Sequence, residues 1–213
     1  MCGRYALHTL LGELQQYFGL FDELDLKPHY NVAPSYDMPI VREDDTGRHL
    51  ALAQWGFIPH WSKSTPKVKS INARAETVAD KPSFRDSYRN RRCLVPANGF
   101  YEWKREGKLK QPYYFKLTNS ELLAFAGLWD RWHGPDGPRD TFAIITTDAN
   151  DIMRPIHDRM PVILDREQFD RWLHDGDRQL LAPYARQMIS HPVSRRVNSP
   201  ENDSEALLDK IAG

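Results

Sequence analysis

The sequence predicts an α+β fold: a mixed, mostly antiparallel sheet closed into a barrel, with helices packed outside it. Three observations carry that expectation. Short runs rich in β-branched and aromatic residues outnumber helical stretches; Gly, Pro or Asn separates them closely enough for antiparallel neighbours; and strands and helices do not strictly alternate. At 213 residues, 27% charged and 40% apolar, the chain fits one domain, residues 1–213, with a substantial core. No internal repeat or linker interrupts it.

After an N-terminal strand, Thr9 is placed to cap a helix in which Leu10, Leu11, Leu14, Tyr17 and Phe18 recur at helical spacing, with Gly19 as the stop. Residues 30–35, Tyr-Asn-Val-Ala-Pro-Ser, form a polar loop that proline keeps from being helical. Residues 38–42 and 50–57 read as strands around an Asp-Asp-Thr-Gly turn, and 59–69 as a long loop with two prolines and several lysines. A helix is expected over 83–89. Strands are expected at 92–96, 99–103, 113–117, 122–129, 142–147 and 161–164, with one helical turn over 148–153. Residues 166–173 and 178–184 look helical, 193–197 returns as a final strand, and the last dozen residues read as a frayed, weakly helical end.

Composition narrows the function. No apolar run approaches the roughly 20 residues that cross a bilayer, and the start lacks a basic-then-apolar leader, so no membrane partner and a cytoplasmic location are expected. Two cysteines, Cys2 and Cys93, are too few for a disulfide scaffold or a zinc finger. Cys93 lies in a strand-like run and reads as core. No metal or cofactor is expected. The net charge is zero, yet residues 62–111 hold 13 Lys/Arg against 5 Asp/Glu. That imbalance suggests a basic face for a polyanion, or equally an excess scattered over solvated surface.

The chemistry starts at Met1-Cys2-Gly3-Arg4-Tyr5. If an aminopeptidase trims Met1, which the small Cys2 side chain permits, the chain begins with an amine and a thiol on one carbon skeleton. Their ordinary pKa values, about 7.7–8.0 and about 8.5, leave both partly nucleophilic at neutral pH. Such a 1,2-aminothiol suits aldehyde capture, through an imine that the thiol closes to a thiazolidine, or amide hydrolysis. The plainer alternative is that Cys2 is a small buried packing residue.

Three polar residues sit at the edges of apolar or strand-like runs. Asn72 has small neighbours that leave room for a ligand, although a turn former would look the same. Glu102, between Tyr101 and Trp103, projects to the opposite strand face, where an aromatic setting would raise its pKa into the range of a general acid/base. His157, where a loop enters a strand, is a second proton-transfer group. A lone His at a loop end is more often structural and a strand Glu more often solvent-facing; their combination with the aminothiol gives them weight.

Six ordered blocks resemble the SRAP family, the SOS-response-associated peptidase proteins that shield abasic sites in single-stranded DNA. They are residues 1–5, Tyr30 to Pro34, Gln54 to Pro59, Asn72 to Thr77, Arg92 to Trp103 and His157 to Pro161, with Val193 to Asn198 resembling the closing strand. The resemblance implies a distorted β-barrel with peripheral helices and a covalent DNA–protein linkage. Cys2 matches the linkage-forming cysteine, and Asn72, Glu102 and His157 match the other active-site groups. The implied partner is single-stranded DNA containing an abasic site; separately, the protein is expected to be a monomer. Arg4, Arg74 and Arg159, beside the catalytic candidates, are candidates for phosphate contacts, Trp61 and Trp103 for stacking or wedging, and Pro34 for a loop near the site. Residues 62–69 and 106–111 are expected to be variable loops. A peptidase or amidase using Cys2, and a non-covalent single-strand binding module, are the competing readings.

Overall fold

The structure is a computed structural model that describes residues 2–107, 109–118 and 122–211; Met1, whose removal the N-terminal chemistry requires, lies outside the described residues. In chain order the elements are β1 (Arg4–Leu7), α1 (Leu11–Phe18), β2 (His29–Val32), β3 (Asp37–Asp44), β4 (Gly47–Trp55), β5 (Asn72–Arg74), α2 (Arg85–Asn90), β6 (Arg92–Ala97) and β7 (Gly99–Glu106). There follow β8 (Leu109–Leu117), β9 (Leu123–Gly134), β10 (Gly137–Asp148), β11 (Arg159–Pro161), β12 (Ile163–Leu164) and β13 (Met188–Pro192). Strands β10, β4, β3, β6 and β9 pair in that order, and β9 pairs back onto β10, which closes a five-stranded barrel. Its pairings are antiparallel except β10 with β4. An antiparallel sheet, ordered β13-β8-β7-β1-β2, lies beside it. The expected mixed, mostly antiparallel barrel with peripheral helices is therefore what forms.

Aromatic side chains join the two layers. Tyr5, on β1, meets Trp55 edge-on at 5.2 Å between ring centroids and Phe125 at 6.1 Å, and Phe100, stacked on Phe115 at 5.1 Å, meets Phe125 at 5.9 Å. All five are fully buried, and each such burial stabilises the fold by about 1.5–3 kcal/mol. Cys93 is buried among them, as expected. Gly127, on β9, is where the barrel wall allows no side chain: a Cβ there would lie 2.9 Å from both Cys93 Sγ and Val95 Cγ2. Sheet alternation then sorts β7. Phe100 faces the main core, whereas Tyr101 and Trp103 face a second cluster with Ala6, Tyr114, Val193, Val197 and Leu207.

Several expectations need correction. The cap of α1 is Leu10 with no side-chain bond, because Thr9 Oγ1 instead accepts from Asn98 Nδ2. Residues 166–173 are helical as expected, in a 3-10 turn at Arg166–Gln168 that runs on into a π turn at Arg171–Asp175, whereas 178–184 hold only a 3-10 turn at Arg178–Leu180. The closing strand is Met188–Pro192, and 195–198 coil into a 3-10 turn. The supposed loop 106–111 is mostly strand, since β7 runs to Glu106 and β8 begins at Leu109. The C-terminal stretch is docked: Leu207 is buried, Val193 bridges Lys210, and the Asp203 carboxylate accepts from the amides of Tyr30 and Asn31.

Candidate active site

Strand pairing assembles the site from four parts of the chain. The β1–β7 register, Arg4 opposite Tyr101 and Tyr5 opposite Phe100, carries Cys2 alongside Glu102. Strand β5 lies parallel to β10 with Asn72 against Ile144, and β11 pairs further along β10 with Arg159 against Asp148. His157 precedes β11 on a turn whose amide bonds run from Arg154 to Asn150 and from His157 to Met153.

Cys2 is 1% exposed. Its carbonyl accepts a 2.9 Å hydrogen bond from Asn72 Nδ2, and Asn72 Oδ1 is buried with no hydrogen-bond partner among the described residues. Burial pushes the Cys2 thiol well up, and the neighbouring Glu102 charge adds to that. Glu102 is itself 5% exposed, and burial raises its carboxyl above the usual range, with His157 pulling the other way. The carboxyl Oε1 accepts from the Trp103 amide at 3.3 Å. His157 is partly exposed; its Nδ1 accepts from the Arg159 amide at 3.0 Å and lies 2.9 Å from Asp158 Oδ1.

Glu102, Trp103, Arg105, Lys110, His157 and Asn198 line an open cleft of about 360 Å³. Of these, sequence reasoning singled out Glu102, Trp103 and His157 and missed Arg105, Lys110 and Asn198. Arg105 and Lys110 face each other across the β7–β8 hairpin. Two like charges directly opposed in a ladder are unfavourable without an anion to share. A larger groove, about 500 Å³, lies between residues 149–154 and 183–188 and contains none of the proposed catalytic side chains.

The other candidates are placed differently. Arg4 donates from Nη1 to Asn31 Oδ1 (2.8 Å) and the Val197 carbonyl (2.7 Å), and from Nη2 to the Asn198 carbonyl (3.2 Å), so its guanidinium is committed within the protein. Arg159 pairs with Glu76 at 2.6 Å and Asp148 at 2.8 Å; burial opposes its charge, but the two carboxylates outweigh that. Arg74, on β5 two residues beyond Asn72, is exposed. Trp61 is 54% exposed on the 59–69 loop. Pro34 begins a tight turn closed by Tyr36 N–H to the Ala33 carbonyl, in which Ser35 takes φ 76°, and it does not line the cleft. The basic segment is partly spent inside the fold: Arg91 pairs with Asp130, and Arg92 donates to the carbonyls of Tyr88, Arg89, Trp172, Leu173 and His174.

Comparison with known proteins fits this arrangement. The family described as SOS response associated peptidase (SRAP) matches residues 1–200. The abasic site processing protein YoqW of Bacillus subtilis is 44% identical over 222 residues, covering 98% of this chain and 99% of its own. The abasic site processing protein HMCES of Xenopus tropicalis is 33% identical, covering 87% of this chain and 67% of its own. A crystal structure of a protein from Bacteroides thetaiotaomicron superposes with a TM-score of 0.89 at 28% identity, covering 99% of this chain and all of that one.

Proposed function

Because the chain belongs to the SOS-response-associated peptidase family, we propose that it processes abasic sites by capturing them in single-stranded DNA on Cys2 once Met1 is removed. The observation that carries this reading is the contact of Asn72 with Cys2 beside a buried carboxyl at Glu102.

An abasic deoxyribose exists mainly as a closed hemiacetal. Its opening requires a proton delivered to the ring oxygen and one removed from the anomeric hydroxyl, work suited to Glu102 and His157. The Cys2 amine attacks the aldehyde carbon and water leaves, giving an imine. The Cys2 sulfur then bonds to that carbon while its proton passes to nitrogen, completing a thiazolidine with net loss of one water. Burial raises the Glu102 carboxyl above its ordinary range, which favours the protonated form that the acid step needs. Asn72 fixes the Cys2 backbone, and its Oδ1 is an acceptor for the new amine or a sugar hydroxyl. Placement of this kind lowers a barrier by several kcal/mol.

Arg105, Lys110 and Arg74 are the phosphate contacts this reading favours, with Trp61 and Trp103 as stacking surfaces. The imine stage also permits β-elimination, a lyase side reaction. The same groups suit hydrolysis of the bond joining Met1 to Cys2, but a peptidase needs a thiolate as first nucleophile, and burial keeps this thiol protonated. Amine-first capture fits that environment better.

The test is denaturing electrophoresis after incubating protein verified to begin at Cys2 with single-stranded DNA carrying one abasic site. A heat-stable shifted band, absent with Cys2→Ala, is expected. Binding that survives without such a band favours a non-covalent binding module, and no band from processed protein overturns the capture reading.

A further inference from the structure

We propose that Asn198 is a positioning residue that fixes the indole of Trp103 at the rim of the cleft, and that residues 193–211 are there to deliver it. This rests on the capture reading above, in which Trp103 meets the DNA where a base is missing.

The bond itself is direct: Trp103 Nε1 donates to Asn198 Oδ1 at 2.8 Å, and both residues line the cleft with Glu102 and His157. Asn198 would be a poor anchor if its backbone were loose, but its carbonyl and those flanking it are held by buried or half-buried side chains. The Arg4 guanidinium binds the Val197 and Asn198 carbonyls together. Asn31, fully buried, donates from its single Nδ2 towards the carbonyls of Val197 (3.2 Å), Ser199 (3.0 Å) and Asn202 (2.8 Å), and its Oδ1 accepts from Arg4. Below the turn, Val197 and Leu207 are buried against Tyr101 and Tyr114, in the cluster on which Trp103 packs.

The hub therefore explains why Arg4 is committed inward: its charge holds the segment that presents Asn198. A partly exposed indole tied at its N–H and packed along its ring has little freedom left to lose when DNA binds. An abasic nucleotide exposes the apolar faces of its neighbouring bases, and a fixed indole beside the sugar pocket can cover one of them. Preference for abasic over intact strands would then depend on the Asn198 acceptor, acting through Trp103.

A double-mutant cycle tests this in full-length protein. Dissociation constants for single-stranded DNA with and without one abasic site are measured in a Cys2→Ala background, and adduct rates with Cys2 intact. Asn198→Leu, which lacks the acceptor, is expected to lower the abasic preference roughly tenfold, whereas Asn198→Asp, which keeps an acceptor oxygen, retains most of it. In a Trp103→Phe protein, which has no N–H to hold, Asn198→Leu is expected to change nothing further. Asn198→Ala serves if the leucine variant melts early. Multiplicative effects in the cycle, or an unchanged abasic preference in Asn198→Leu, overturn the inference. Wild-type protein that forms no adduct overturns the capture reading instead, and the binding ratios still decide the role of Asn198.

Discussion

Asn72 Nδ2 donates to the carbonyl of Cys2 at 2.9 Å, tying the start of the chain to a strand laid against the barrel's β10. The bond crosses 70 residues of sequence and gives the start of the chain a fixed address. Chemistry on the first amine of a chain requires that address, because termini usually fray.

Removing the tether should slow capture with little effect on initial DNA binding. Asn72→Ala is expected to reduce the adduct rate at saturating abasic DNA by about tenfold to a hundredfold. Asn72→Asp should do no better, since a carboxylate has no hydrogen to donate and repels the carbonyl. Rapid-quench electrophoresis supplies the rates, and an unchanged rate at saturation would count against the tether.

Glu102→Gln should separate stability from function. Burial raises the folded-state pKa of Glu102 above its unfolded value, so the wild type is best off while the carboxyl is protonated and loses ground as pH rises through the folded value. The glutamine variant should therefore melt with the wild type near pH 4 and above it near pH 8. Its adduct rate should fall about a hundredfold or more. Thermal melts at the two pH values check the sign.

Phosphate contacts should be readable in the salt dependence of binding. Arg105→Gln and Lys110→Gln are each expected to reduce the slope of log K against log salt by about 0.7 for single-stranded DNA. Arg159→Gln should leave the slope unchanged and lower stability instead, by about 1–2 kcal/mol, because Arg159 bonds Glu76, Asp148 and the Thr146 carbonyl.

Gly127→Ala probes the barrel without touching the cleft. The added methyl would crowd Cys93 Sγ and Val95 Cγ2, and should destabilise by about 1–3 kcal/mol in denaturant titration while leaving the adduct rate per folded molecule intact.

The parts of the site that follow a local period were legible in the sequence. Glu102 lies on the face opposite Tyr101 and Trp103 because a strand alternates, and that period needs no tertiary information. Arg4 was legible only as a charge near the reactive end; its carbonyl partners, Val197 and Asn198, stand more than 190 positions away. Arg105 and Lys110 escaped because residues 106–111 were expected to be a variable loop, although their near-symmetric spacing about Gly107 was a hairpin signal. The strands expected at 122–129 and 142–147 extend through 130–134 and 137–140, polar stretches in which pairing buries Asp130 and Trp132 and lets Arg131 meet Asp140 across the ladder at 2.7 Å. The segment 166–173 is helical as its sequence suggested, while 178–184 keeps only the 3-10 turn at Arg178–Leu180.

The most direct test of the central claim is a count of free thiols in the purified adduct. The chain has two cysteines, Cys2 and Cys93, and only Cys93 keeps its thiol if Cys2 has closed the ring. The heat-stable adduct, denatured, treated with iodoacetamide and weighed intact, should have the mass of protein without Met1 plus DNA less one water, with one added carbamidomethyl group. Two carbamidomethyl groups, or a DNA linkage mapped by tandem mass spectrometry to a residue other than Cys2, would contradict the account.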